Sequence, residues 1–326
     1  MDITQFSQAE LTAAINKIPV QWGSVSNLGL FKDRGTRTNQ IIVEDRQGTL
    51  GVLPSHAWGG SGTVNEVDTR HTYAFAIPQT VHNDMLLPSD VMGIRGFGTE
   101  ALATMAQELA YRLQRMKAKH DITLEHKRIN ALKGRVLNAD GTSVIVDLFG
   151  SFGITQQTVN FNLDVATTKV LDKCAEVRNI IEDNLMGDSM TSIRVLVSPE
   201  FYSVFIAHAN VTKAYAGYVD AANRLGEDNR QGFTFGGITF QEYRGGVNGN
   251  RFITAGEGHA FPEGTLDTFA TYFAPADFNE TVNTMGRAFY AKQWEAEGGR
   301  GIVLHTQCNS LPICHQPAVL VKVLAA

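Results

Sequence analysis

The stretch "GFGTEALATMAQELAYRLQRMKAKHDITLEHKRINALKG", residues 96–134, decides how the rest of the chain is read. Glycines at 96 and 98 precede it, and Gly134 stands where a left-handed C-terminal cap belongs. Between them lie Ala, Leu, Met, Glu, Gln, Lys and Arg with neither proline nor glycine, the composition of a good helix former. At 1.5 Å per residue such a helix is roughly 50 Å long, about the full width of a compact globule of this length. Leu102, Met105, Leu109, Leu113 and Met116 make one apolar face. The phase slips at His120–Thr123, where a kink or short break is expected, and Ile122, Ile129 and Leu132 resume it on a shifted line. The opposite face, with Glu100, Gln107, Arg112, Gln114, Arg115, Lys117 and Lys119, is read as partly wet. A helix this long lies along something.

Working outward, residues 7–18 form a short helix with Ser7 as N-cap and Glu10 at the capping-box spacing. Residues 19–40 have no period and read as an arm that lies on a neighbour. Ile41–Leu53 is strand-like, and Val67, Thr69, His71, Tyr73, Phe75 and Ile77 alternate onto one face of a second strand. "WGGSG" at 58–62 is the tip between them, so 41–82 is a long hairpin that needs a surface to lie against. Beyond the helix, "GRVLNADGTSVIVDLF" reads as a hairpin with a return strand Val144–Phe149. "TQQTVNFNLD" is extended, and Val170, Cys174, Val177, Ile181 and Leu185 then mark an amphipathic helix. "SIRVLVSPEFYSVFIAHANV" is a buried strand followed by a helix with Ser198 as N-cap and Pro199 at its first position. A hairpin turns at Gly236–Gly237, and the last third is mostly strand.

Composition narrows the function. Three cysteines (Cys174, Cys308, Cys314) make no disulfide framework, which fits a reducing interior. The net charge is −5 with no Lys/Arg block, which argues against bulk attraction to nucleic acid. No window reaches the roughly 18 apolar residues of a membrane span, and "MDITQFSQAELTAAINKI" lacks the pattern of a secretory leader. Charged residues are only 19 %, below the usual share of about 25 %, and glycine is slightly enriched, which fits a surface largely covered by other chains and equally any Gly-rich β enzyme.

Candidate chemistry fails on spacing. "HTQCNSLPICHQP" gathers His305, Cys308, Cys314 and His315, but a c-type haem site needs cysteine at 311, which is leucine. The two cysteines are also too far apart for a zinc pair. "GSFG" at 150–153 is not a nucleophile elbow, and "GGRG" at 298–301 precedes a strand rather than a helix. No catalytic, cofactor or metal residues are assigned.

The order of the pieces, with "NALKGRVLNADGTSVIVDLFG", "VLVSPEFYSVFIAHANVTKAY", "FTFGGITFQEYRGG" and "FPEGTLDTFATYFAP", resembles the lambda-type major capsid protein E family of tailed bacteriophages. That resemblance implies an α+β chain of HK97-like fold that assembles into the icosahedral shell around a double-stranded DNA genome. It places an N-terminal arm at 1–40, the E-loop at 41–82, a P domain at 83–165 and 266–326 with a spine helix about 98–133, and an A domain at 166–265. It implies a virion protein, assembled in the bacterial cytoplasm and without enzymatic activity. Its partners would be copies of itself in hexamers and pentamers, with a decoration or cement protein, a scaffold and a portal besides. DNA would be enclosed without sequence-specific binding, and no membrane is involved. Trp22, Phe31, Trp58, Gly59, Gly60, Tyr73 and Phe75 are the expected intersubunit contacts, with Gly62 adding freedom at the tip. The slip at His120–Thr123 would be where the spine bends as a precursor shell expands. An encapsulin-like compartment of the same fold is the second reading, and a monomeric α+β enzyme built around His305 and Cys308 the third.

In some shells of this fold an E-loop lysine forms an isopeptide bond to a neighbour's asparagine. No lysine occurs between Lys32 and Lys117, so this E-loop has no such nucleophile. Assembled particles boiled in detergent are therefore expected to run as single chains, and a covalent ladder on the gel would contradict this.

Overall fold

A computed structural model describes residues 7–18, 23–47, 69–92, 105–186, 188–212, 232–247 and 249–326. In chain order its helices are α1 (Gln8–Lys17), α2 (Ser24–Asn27), α3 (Met105–Leu132), α4 (Leu148–Phe152), α5 (Val170–Asp183) and α6 (Pro199–Ala207). The strands are β1 (Lys32–Gly35), β2 (Gln40–Gln47), β3 (Thr69–Ala76), β4 (Val81–Leu86), β5 (Arg135–Leu137), β6 (Val144–Asp147), β7 (Gln157–Asn160) and β8 (Ser192–Val197). They continue as β9 (Phe233–Phe235), β10 (Ile238–Glu242), the two-residue β11 (Gly246–Val247) and β12 (Asn250–Arg251), and β13 (Glu257–Glu263). Last come β14 (Phe269–Phe273), β15 (Tyr290–Glu295), β16 (Ile302–Gln307), β17 (Ser310–Cys314) and β18 (Val321–Leu324).

Three sheets and one helix organise the molecule. A six-stranded sheet runs β7-β18-β13-β8-β10-β9, with β7–β18 and β8–β10 parallel and the other pairs antiparallel. It takes β7 and β18 from outside the segment 166–265, so its strands come from both sides of that expected boundary. The apolar stripe of α5 is buried at Val170, Cys174, Val177 and Ile181. Phe205 of α6 lies on Phe240 with ring centroids 4.2 Å apart. As the sequence dictates, the Ser198 hydroxyl accepts the Phe201 N–H at 3.2 Å and Pro199 opens the helix. Gly236 and Gly237 both take the left-handed conformation that a tight two-residue turn demands, joining β9 to β10.

The smaller sheets, β1-β14-β17 and β15-β16-β4, flank α3. Leu109, Leu113, Met116 and Leu124 of α3 join a core with Leu11 and Ile15 of α1 and Leu86, Ile302 and Leu304 of the second small sheet. Further along, Ile129, Ala131 and Leu132 enter the larger core beneath the six-stranded sheet. One helix thus nails two cores together. At its end Gly134 has φ +80° and lies against the Phe149 ring, leaving no room for a β-carbon. The α1 capping box is complete: the Ser7 N–H donates to Glu10 at 2.8 Å, and the Glu10 N–H to the Ser7 hydroxyl at 3.3 Å.

Three expectations are corrected, and a fourth lies partly outside the described residues. The helix runs from Met105 to Leu132 without interruption, so there is no break at His120–Thr123. The segment after the arm's first turns is ordered on its own chain: α2 packs on α3, and β1 pairs in parallel with β14. The return strand stops at Asp147, whose carboxylate accepts the Gly150 N–H at 3.1 Å and starts α4 where strand was expected. The hairpin strand expected at Ile41–Leu53 is strand through Gln47, the last described residue there, and its remainder and the 58–62 tip lie outside the described residues. On the partner strand Phe75 and Ile77 are buried while Thr72, Ala74 and Ala76 face out, the alternation read from the sequence.

His259 of β13 is a buried flaw in this packing. Neither ring nitrogen has a hydrogen-bond partner among the described residues, and burial, with Lys133 and Lys322 nearby, lowers its pKa to about 3. The unfolded chain takes up a proton near 6.5 while the folded chain stays neutral, so stability falls as pH drops from about 6.5 towards 3. That loss is up to about 5 kcal/mol for this residue alone. His259→Leu is expected to raise the thermal midpoint at pH 7 and flatten its acid dependence, read from melting curves between pH 7 and 4.5; an unchanged slope would refute the assignment.

Candidate functional site

Charged side chains on α3 meet the rest of the chain in the dry interior. Lys117 and Asp121, both 2 % exposed, pair at 2.9 Å one helical turn apart. The Lys117 ammonium also sits 4.6 Å from the Phe289 ring centre. Lys117, read as part of a wet face, is therefore buried. One turn on, the Glu125 carboxylate accepts the N–H groups of Val25 at 2.8 Å and Ser26 at 3.3 Å, and the Tyr243 hydroxyl donates to it at 3.4 Å. Burial and the neighbouring carboxylate push the Tyr243 pKa up.

Arg128 donates to Asp33 at 2.6 Å, Ser26 at 2.9 Å and Thr271 at 3.2 Å. Burial raises the Asp33 pKa, and the Arg128 charge works against that rise. Lys127 donates to the Thr80 hydroxyl at 3.0 Å and the Ser310 carbonyl at 3.2 Å. Burial lowers the pKa of Lys127, and brings that of His120, bonded to Thr306 at 2.9 Å, down to about 4. Through these contacts α3 holds the arm, the hairpin's exit, both small sheets and the 243–252 loop in one frame. The slip in the apolar phase at His120–Thr123 is where this polar seam takes over. That slip was its only trace in the sequence.

Outward, the chain presents apolar groups. Ile42 of β2, Met186 and Leu266 are 66 %, 68 % and 67 % exposed. They rim a concavity of about 540 Å3 that also involves Val43, Tyr272, His315 and the Arg34–Asp267 ion pair. Of the residues expected at contacts between chains, Trp22, Trp58, Gly59 and Gly60 lie outside the described residues. Phe31 packs edge-on to Phe269 at 5.5 Å and under Arg128, inside its own chain. Phe75 and Tyr73 lie on Phe152 at 6.2 and 4.4 Å. The aromatic rings of the hairpin base are turned inward, and Ile42 on the paired strand faces out.

The cysteine–histidine run does not converge. His305 lines a shallow cleft with Phe278, Lys292 and Trp294, while Cys308 is buried in the core against α3. Burial pushes the thiols of Cys174 and Cys314 up to about 12 and raises that of Cys308, so none is poised as a thiolate. Among the described residues no group of three or more His, Cys, Asp or Glu is placed to hold a metal ion, and no helix is long and apolar enough to cross a membrane.

This architecture is that of shell-forming subunits with the HK97-like fold. It superposes on the crystal structure of a putative prophage capsid protein from E. coli CFT073 with a TM-score of 0.61, covering 98 % of this chain and 99 % of that one at 12 % identity. The mature capsid of bacteriophage PhiM1 gives 0.52, covering 91 % and 85 % at 12 % identity. The chain belongs to the phage major capsid protein E family, whose model matches residues 7–325. It is 31 % identical to the major capsid protein of Pseudomonas phage KPP10 over 98 % of this chain and 97 % of that one. Its identity to the major capsid protein of Salmonella phage Felix O1 is 26 %, over 99 % and 97 %. It is a structural capsid protein of the virion, and its role is to associate with its own copies into a shell.

Breaking a buried ion pair by removing one partner costs about 3–5 kcal/mol, whereas replacing both by apolar groups of similar size is often neutral. Lys117→Ala is expected to destabilise the subunit by about that amount, and Lys117→Met with Asp121→Leu by much less. Denaturant titration of the three proteins checks this; equal losses would show that the pair is not the unit.

Proposed function

We propose that the subunit acts mechanically, as a plate in a closed shell of hexamers and pentamers around double-stranded DNA. The observation that carries this reading is the outward face of the hairpin base, where Ile42, Met186 and Leu266 leave large apolar area uncovered on a chain whose own cores are already filled. In the shell, segment 41–82 is the E-loop and 1–40 the arm. Segments 83–165 and 266–326 are the P domain, and 166–265 is the A domain around the five- and six-fold axes. The described part of the arm stays on its own chain, held by α3 and β14.

Each contact is modest. Apolar burial yields about 25 cal/mol per Å2, and closure of the shell makes many such contacts mutually dependent. A container strong enough for packed DNA then needs no covalent link. The subunit has no catalytic role on this reading, in keeping with thiols held far from the thiolate state. A scaffold, a portal and a decoration or cement protein would join it during assembly in the bacterial cytoplasm. DNA is enclosed without sequence readout, consistent with a net charge of −5.

Electron microscopy and light scattering on the purified chain, alone and co-expressed with its neighbouring head genes, test the proposal. Rings, hexamers or closed shells are expected. A chain that stays monomeric in both settings would overturn it.

A further inference from the structure

The sheet β15-β16-β4 has two edges, and the chain treats them differently. In an antiparallel pair, alternate residues turn their N–H and C=O groups towards the partner and away from it. At the start of β15 the outward groups are met by α1. The Thr12 hydroxyl accepts the Ala291 N–H at 3.3 Å and lies 3.4 Å from the Ala291 carbonyl, while the Asn16 amide donates to the Phe289 carbonyl at 2.8 Å. The chain's own helix closes the start of that edge.

The other edge is β4. The Cys308 N–H donates to the Thr80 carbonyl at 3.0 Å, and the register sets Thr306 against His82 and Leu304 against Asp84. Alternation therefore turns His82, Asp84 and Leu86 towards β16 and points the backbone groups of Val81, Asn83 and Met85 outward. Met85 is closed, since its N–H donates to the Asp84 carboxylate at 2.8 Å and its carbonyl accepts from Arg112 at 2.6 Å. The N–H and C=O of Val81 and Asn83 have no hydrogen-bond partner among the described residues, and both residues are exposed. Two donors and two acceptors stand open within three residues, and pairing beyond them is blocked at Met85.

Such an edge is completed by another extended backbone, and the pattern selects which one. An antiparallel pairing centred on His82 sets Val81 of each copy against Asn83 of the other. It makes four N–H···O bonds and uses every open group of β4. Sliding by one step of the ladder towards Met85 would put an open residue against its closed groups. A surface that completes itself under a two-fold rotation is isologous.

The side chains agree with this register. Val81 and Met85, each 42 % exposed, share a face with Val303 and Trp294. The pairing lays Val81 of one copy diagonally across Met85 of the other, within reach for long side chains. Burial and Lys119 hold the His82 pKa below its usual value, so the rings that meet at the axis are neutral at pH 7.

We propose that β4 is an isologous docking edge, at which two copies of this chain join across a two-fold axis into one continuous six-stranded sheet, β15-β16-β4 followed by its mirror in sequence order. The inference deepens the shell-forming reading and rests on it.

The test is a disulfide at the axis. In a pair that does not exchange hydrogen bonds the facing Cα atoms are about 4.5 Å apart, within the span of a disulfide. His82→Cys particles, oxidised after co-expression with the head genes, are expected to run mainly as a disulfide dimer on a non-reducing gel. Asn83→Cys, whose copies lie too far apart to bridge, should stay monomeric. The native thiols are buried and do not interfere. Where His82→Cys fails to assemble, the Val81→Cys/Asn83→Cys double variant reports the same register.

Val81→Pro removes one outward donor per copy and leaves the β4–β16 ladder intact, as proline on an edge strand does. It should cut particle yield roughly tenfold, the effect of losing two hydrogen bonds per axis, without moving the melting point of the subunit. Intact particles without cross-link in either cysteine variant, or full yield from Val81→Pro, would overturn the proposal and leave the edge to a neighbour's hairpin or another protein. Absence of wild-type particles in the same co-expression would instead count against the shell-forming reading.

Discussion

Charge cannot remain unpaired in a dry interior, and that constraint sets the frame of this subunit. Once Glu125, Arg128, Lys117 and Lys127 sit on the buried side of α3, each must find partners. The partners on hand are backbone amides of the arm, hydroxyls of the small sheets and a carboxylate one turn away. Apolar contact alone would let the helix slide along its groove at modest cost. Hydrogen bonds at fixed positions do not, so the seam specifies where each layer sits. For a plate that must match its neighbours on every side, position is worth more than additional stability.

The two-core design follows from the same helix. Its first half belongs to the core shared with α1 and the sheet β15-β16-β4, and its last turns to the core under the six-stranded sheet. A load applied at one end of the plate is carried through a rod rather than through loops. The arm is tied to this rod by Glu125 and Arg128, so a pull on the first residues is delivered to α3 and not to β1 alone.

Much of the architecture was legible because local signals were strong. Ser7 with Glu10, Ser198 with Pro199, and Gly236 with Gly237 each demand one backbone geometry, and each was found as read. The alternation at Tyr73, Phe75 and Ile77 likewise fixed which face of β3 is covered. What failed had tertiary causes. Lys117 looks wet in any helical wheel even with Asp121 one turn away, because the Phe289 ring that covers it comes from far along the chain. β1 carries Lys, Asp and Arg and shows no strand period, since it is specified by β14 and by the Lys32–Leu266 and Arg34–Asp267 contacts. Phe31 and Phe75 are covered within their own chain, by Phe269 and Phe152. A ring reports burial but not by whom.

The cover of the β15 edge has a consequence for how the chain is made. Thr12 and Asn16 come early in this sequence, and the backbone groups they close follow 279 and 273 residues later. During synthesis the lid exists long before the strand that needs it. When β15 emerges, its cover is already tethered to the same nascent chain and outcompetes any other copy for that edge. A protein translated in large numbers beside identical chains is thereby protected from premature strand exchange on the polysome, and sticks to its sisters only after it has finished folding on itself.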